Sequence, residues 1–163
     1  TEEWVDEATP VDPGNFRARA MLAAEAALHT MLPERVAVSL RLSGLYGLER
    51  TYLVNGLKAG KIKAPDGPGH WANRIHIDDA ASACRHLLQL AAPQPLCIGT
   101  DDCPMPQADF YDAVANVVGA PVPAREWQPP SGKRLSNARL RASGWVPEWP
   151  RALEWYARYH GCR

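Results

Sequence analysis

The 163-residue sequence contains no apolar run approaching the roughly 20 residues that a bilayer-spanning helix requires, so a bundle of membrane helices is excluded. It carries no excess charge of either sign. Its 18 Lys and Arg balance 18 Asp and Glu, and no long-range field draws it to nucleic acid or to an anionic membrane. Its four cysteines form no C-x-x-C pair and no zinc-type grouping with histidine. Cys84 falls on the apolar face of a predicted helix and Cys97 inside a predicted strand, so both are expected in the core as small hydrophobes. Reduced thiols and a cytoplasmic setting are the corresponding expectation. The sequence opens on Thr1, not Met, in an acidic, loop-like stretch, which suggests the remainder of something longer.

What is present suits one globular domain: 46% hydrophobic and 22% charged residues, enough chain to bury a core. Charge is unevenly spread, acidic over the first twelve residues and basic from Arg125 onward, and both ends read as solvated surface. "FRARAMLAAEAALHTML" is rich in helix formers, with Met21, Leu22, Leu28, Met31 and Leu32 gathered on one side, and Pro33 ends it. "RVAVSLRLSGLYG" alternates Val36, Val38, Leu40 and Leu42 with small or semi-polar residues, as a strand covered on both faces does. "TYLVNGLKAGK" fits a short helix, "IKAPDGPGHWA" an exposed turn-rich loop, and "NRIHI" a short strand.

The spacing of Ala80, Ala83, Cys84, Leu87, Leu88 and Ala91 is that of an amphipathic helix. "PLCIGTD" reads as a second buried strand. Phe110, Ala113, Val114, Val117 and Val118 mark a helix with Pro106 at its start and Gly119 past its end. The stretch to Pro130 reads as irregular, "KRLSNARLRASGW" as holding a short helix, and Pro150 as opening a last one. Strands alternating with helices imply a parallel α/β layer. Two long strands are too few for an independent doubly wound sheet, so a missing half is implied.

His76, Asp78 and Asp79 precede the amphipathic helix directly. A metal site needs three or four converging ligands, and no second His or Cys stands at useful spacing. A carboxylate at the N-cap accounts for Asp78 more simply, and Asp79 in the first turn complements the helix dipole. His76, at a strand end, fits a hydrogen-bonded structural role and a substrate-facing one equally.

"NRIHIDDAA", "SLRLSGLYG" and "KRLSNARLRASGWVPEWP" together resemble the C-terminal part of extended short-chain dehydrogenases/reductases, the NAD-dependent epimerase/dehydratase group, and most closely an atypical bacterial branch. The resemblance runs over nearly all of residues 1–163. It implies the C-terminal part of a Rossmann-like doubly wound parallel sheet, with a small, mostly helical substrate lobe built from about 49–77 and 101–150. NAD or NADP is the implied cofactor, held mainly by an N-terminal half that this sequence lacks. Leu42, Ser43, Gly44 and Tyr46 would lie beside the nicotinamide. Arg74 and His76 would face a small-molecule substrate, Arg74 pairing with a phosphate or carboxylate, and Arg17 would contact an anion. Leu135, Ala138, Leu140 and Trp145 would pack the lobe. For each of these residues a purely structural role stands as the alternative.

The departures matter as much. The Gly-rich loop that holds a pyrophosphate at a helix N-terminus is absent. The Tyr-x-x-x-Lys acid–base pair is absent too: Arg17 and Met21 stand in those places, or Phe16 and Ala20 in a slipped register. Met cannot donate to a ribose, and Arg is a poor proton shuttle. No catalytic residue is therefore assigned, and the chain by itself is expected to be inactive. Two functions follow: an NAD(P)-dependent epimerase/dehydratase or oxidoreductase of a small carbonyl or sugar-type substrate, or a non-catalytic NAD(P)-binding sensor or interaction module. Uncovered apolar edges predict a homodimer or association with the missing half.

Overall fold

The computed structural model describes residues 4–31, 37–130 and 132–161. Strand β1 (Trp4–Val5) and a turn-rich segment lead into helix α1 (Phe16–Met31). Strands β2 (Ser39–Leu42) and β3 (Gly44–Tyr46) follow in near succession, broken at Ser43, and then helix α2 (Tyr52–Lys58). Three short strands, β4 (Ala64–Asp66), β5 (Trp71–Ala72) and β6 (Arg74–His76), precede helix α3 (Ile77–Gln89). Then come β7 (Leu96–Gly99), β8 (Met105–Pro106), helix α4 (Gln107–Val118), β9 (Arg125–Trp127), β10 (Arg134–Leu135) and helices α5 (Ala138–Ala142) and α6 (Ala152–His160). The predicted helix stop at Pro33, the strand position Val36, and Cys162 lie outside the described residues.

Four of the five strand pairs are parallel: β1 with β10, β2 with β7, β3 with β6, and β4 with β9; only β5 with β8 is antiparallel. The architecture is mixed α/β with parallel pairing, as the alternation of strands and helices implies. The longest pair joins four residues of β2 to four of β7, Ser39 to Leu96 through Leu42 to Gly99. Among the described residues β2 pairs with β7 alone, so one edge of β2 carries no strand.

Two apolar clusters form the core. One gathers Tyr46, Leu57, Phe110, Val114, Trp155 and Tyr156, between α2, α4 and α6. The other packs Ile75, Ala83, Leu87, Cys97, Leu140 and Trp145, between α3, β7 and α5. Cys97 is core, as expected, and Leu140 and Trp145 are buried; Ala138 is exposed instead of packed.

Several expectations need correction. Cys84 is exposed, because among the described residues α3 buries only part of its apolar stripe: Ala80, Ala83 and Leu87 are covered, while Cys84, Leu88 and Ala91 are exposed. The "IKAPDGPGHWA" stretch is not simply a loop. Ala64 and Pro65 are buried, and Ala64–Asp66 pairs with Arg125–Trp127, a stretch expected to be irregular. Helix α1 buries no residue at all. It is tied to β2 by polar contacts: Glu25 accepts from both Nε (2.9 Å) and Nη2 (2.6 Å) of Arg41, and His29 meets the Ser39 hydroxyl at 3.1 Å.

The cap of α3 also differs. His76 is the N-cap, its Nδ1 accepting from the Asp78 N–H at 3.3 Å. Asp78, the expected cap, points outward. Asp79 does more than complement a dipole. Buried, it accepts from the N–H groups of Glu148 (2.7 Å) and Trp149 (3.0 Å), and so pins the segment leading into α6 to the start of α3.

Candidate functional site

The pairing of β3 with β6 organises the site. In register, Gly44 lies beside Arg74, Leu45 beside Ile75, and Tyr46 beside His76. Side chains alternate along a strand, so Gly44, Tyr46, Arg74 and His76 share one face and Leu45 and Ile75 the other. The second pair enters the core against α3. The first face has two ends with different fates.

At the Tyr46–His76 end the face is closed. The Tyr46 ring meets His76 edge-on at 5.1 Å and Trp155 at 5.3 Å, and stacks on Tyr156 at 5.6 Å. Tyr46 is 2% exposed, and among the described residues its hydroxyl has no hydrogen-bond partner. Burial pushes that phenol strongly upward in pKa, so it holds its proton. His76 is buried against Trp155 and Trp149 while its Nδ1 serves the helix cap; it also lines a hollow of about 260 Å³ with Gly47, Arg50 and Tyr159.

At the Gly44–Arg74 end the face opens into a cleft of about 470 Å³, whose walls include Ser43, Gly44, Arg74, Tyr111 and Lys133. Gly44 has a steric reason to be glycine: any Cβ there would run into the Arg74 guanidinium and the Asn73 carbonyl. The guanidinium thus lies across the β3 backbone, 5.1 Å from the Phe110 ring centroid. The Ser43 hydroxyl is buried at this end without a partner among the described residues. Tyr111 accepts a hydrogen bond from Gln107 Nε2 at 2.8 Å. Asn73 holds the far wall in place, donating to the Lys133 carbonyl (2.7 Å) and accepting from the Leu135 N–H (2.9 Å). The cleft lining holds two cations and no carboxylate, an arrangement suited to an anion.

Lys133 and Leu135 also line a larger adjoining hollow, about 610 Å³, between α1, β2 and the segment after β1. Leu42, 41% exposed, and Met21 both face it, together with the Arg41–Glu25 pair. The structure therefore sets Leu42 in the larger hollow and Ser43, Gly44 and Arg74 in the cleft, with Lys133 and Leu135 shared by the two. It places Tyr46 and His76 in the aromatic cluster, and Arg17 exposed on α1 outside the lining of either hollow. Among the described residues no three His, Cys, Asp or Glu side chains gather as a metal-binding set.

Asp101 escaped the sequence reading. It follows β7, at the strand end where α/β folds place ligands, but nothing in "GTDD" distinguishes it from a turn residue. It is buried, accepts from the N–H groups of Cys103 (3.2 Å) and Ala152 (3.1 Å), and burial raises its carboxyl to about 7.

An NAD(P) fit can be judged on these residues. A hydroxyl without a partner among the described residues and an exposed leucine edge suit the nicotinamide end of such a group, but no residue here forms a pyrophosphate loop.

A solved protein described as an NAD-dependent epimerase/dehydratase, from Methylobacillus flagellatus, is 35% identical with a TM-score of 0.77, over 97% of this chain and 57% of its own. A conserved protein of unknown function from Silicibacter pomeroyi matches this chain at 28% identity and a TM-score of 0.80, over 98% of this chain and 61% of its own. A human epimerase family protein solved with NADPH shares the fold, with a TM-score of 0.74 at 18% identity over 96% of this chain and 60% of its own. Among curated proteins, a 3-diazoavenalumate denitrifying reductase of Streptomyces is 29% identical over 159 residues, covering 85% of this chain and 52% of the reductase. No protein-family model matches the chain. The chain thus spans a little over half the length of these relatives. Among the described residues no helix is long and apolar enough to cross a membrane.

Proposed function

We propose that residues 1–163 are the C-terminal part of an NAD(P)-dependent oxidoreductase or epimerase/dehydratase, and that the cleft at Ser43, Gly44 and Arg74, with the hollow at Leu42 beside it, is where the nicotinamide end of the cofactor and a small carbonyl or sugar-type substrate meet. The observation carrying this reading is the Arg74 guanidinium, held over Phe110 beside Gly44 at a cleft lined by cations and the buried Ser43 hydroxyl. In it, Leu42, Ser43 and Gly44 flank the nicotinamide, and Arg74 grips an acidic group on the substrate. The cofactor supplies hydride chemistry when bound. This chain orients the substrate and excludes water, while the phosphate grip comes from sequence upstream. The lobe over the site is built from about 49–77 and 101–150, which supply Leu57, Phe110 and Val114 to the larger apolar cluster, while Tyr46, Trp155 and Tyr156 join it from outside those ranges. Tyr46 and His76 support the site from behind, and Arg17 takes a peripheral place. Calorimetric titration of the parent protein with NADPH and NADH tests the reading: saturable heat is expected with one or both, and no heat with either overturns it.

A second reading, a non-catalytic NAD(P)-binding sensor or interaction module, is favoured by Arg17 and Met21 standing where the acid–base pair is expected. Placing Tyr at 17 and Lys at 21 discriminates. A wild type that already reduces a carbonyl substrate at the double variant's rate excludes the inert module, whereas activity gained only by the variant favours it.

A further inference from the structure

Arg74 also lines a cavity of about 230 Å³ next to the cleft. Arg74, Asp101, Met105, Phe110, Arg151 and Leu153 are among its walls. Arg74 is common to this cavity and to the cleft, so one guanidinium faces both. That guanidinium makes no hydrogen bond or ion pair among the described residues; its contact is the Phe110 ring.

The other charges at the cavity are already engaged. Arg151 stands 3.5 Å from Glu154. Asp101 spends its two carboxylate oxygens on the N–H groups of Cys103 and Ala152, and its burial favours the neutral form. What remains is one unsatisfied cation beside an apolar wall of Met105, Phe110 and Leu153. A ligand complementary to that combination has a single anionic group on a short apolar body. The volume falls below the roughly 300–1,000 Å³ of ordinary ligand pockets, which limits the occupant to a handful of heavy atoms.

We propose that this cavity is a binding site for a small monocarboxylate, its carboxylate on the Arg74 guanidinium and its aliphatic part against Phe110, Met105 and Leu153. Because the same guanidinium serves the cleft, a monocarboxylate here draws it away from an anion bound there, and the two sites are coupled negatively. The cavity site goes beyond the proposed oxidoreductase function and stands without it, whereas its coupling to the cleft rests on that reading; NADPH binding by the parent tests one and carboxylate binding by this chain tests the other.

The test is a methyl-NMR titration of the chain with butyrate at constant ionic strength, with 1-butanol as the uncharged control. Saturable shifts of the Met105 and Leu153 methyl signals are expected with butyrate. Binding of 1-butanol should be weaker by about tenfold or more, the usual worth of a charge-assisted hydrogen bond. Arg74→Gln should weaken butyrate by a similar factor, and Leu153→Trp, which fills the cavity, should abolish the shift at Met105. The proposal is overturned by no saturable shift in the wild type, by equal response to 1-butanol, or by shifts centred on the Leu135 methyls in the cleft with Met105 and Leu153 unmoved.

Discussion

The guanidinium of Arg74 occupies the space in which a side chain on Gly44 would begin, one strand over and directly opposite in register. Gly44→Ala should therefore act on Arg74 more than on the fold. The backbone of Gly44 is not in the left-handed region, and the displaced atoms are largely the far end of a flexible side chain. The expected outcome is a stability loss of about 1 kcal/mol or less, together with a marked shift of the Arg74 Nε–H resonance. A large loss of stability with that resonance unmoved would contradict it.

Asp79 joins the start of α3 to the segment before α6 through two buried hydrogen bonds. Asp79→Ala leaves both N–H groups without a partner, at about 1–3 kcal/mol for each such group. Urea unfolding should report a loss of about 2–4 kcal/mol. Asp79→Asn, which keeps one acceptor oxygen, should lose roughly half of that. A fall within 0.5 kcal/mol for the alanine variant, about the size of an ordinary surface substitution, would contradict the anchoring role.

The carboxyl of Asp101 is raised from 3.8 to about 7 by burial. A folded value above the unfolded one means that the folded state keeps its proton longer. Stability from this group is therefore fully present below about pH 4, is lost as pH rises from there to 7, and stays level above. Each pH unit within that window costs up to about 1.4 kcal/mol. Asp101→Asn should flatten the stability–pH curve of the chain between pH 4 and 7, as read by urea unfolding at intervals of pH. An unchanged slope would show that Asp101 titrates normally.

Helix α1 buries nothing, and its hold on β2 runs through the Glu25–Arg41 pair and the His29–Ser39 contact. Its amides should exchange with solvent much faster than those of α4, whose Phe110, Val114 and Val118 are buried. Glu25→Ala should speed exchange in α1 further while leaving α4 unchanged. Equal protection in the two helices would contradict this picture.

What could be read from the sequence divides along physical lines. Helices α3, α4 and α6 announce themselves because apolar residues recur at helical spacing, and Pro106 and Gly119 punctuate α4, the latter with φ of +66°. The strands β2, β6 and β7 are visible as apolar runs closed by glycine or by a helix start. The two- and three-residue strands are not. The pairing of Ala64 with Arg125 is set by tertiary contact between remote segments, and three residues are too few to show a period. Exposure of Cys84 was hidden for a related reason: the stripe is real, but periodicity does not say which part of it finds a partner. Of the candidate site, Leu42–Gly44 and Arg74 were singled out through family motifs, and the structure sets them along the cleft and the hollow beside it. Lys133, Tyr111 and Asp101 were not, since their roles come from where remote loops are brought together.

The most direct measurement of the central claim is NADPH binding to the parent protein, followed by the cofactor's fluorescence, in wild type and in Leu42→Arg. Leu42 is exposed in the larger hollow, so the variant should fold while a charged side chain crowds the proposed nicotinamide end. Saturable binding in the wild type that Leu42→Arg weakens by about tenfold or more is the predicted result. Binding that is absent in the wild type, or equally tight in the variant, would contradict the account.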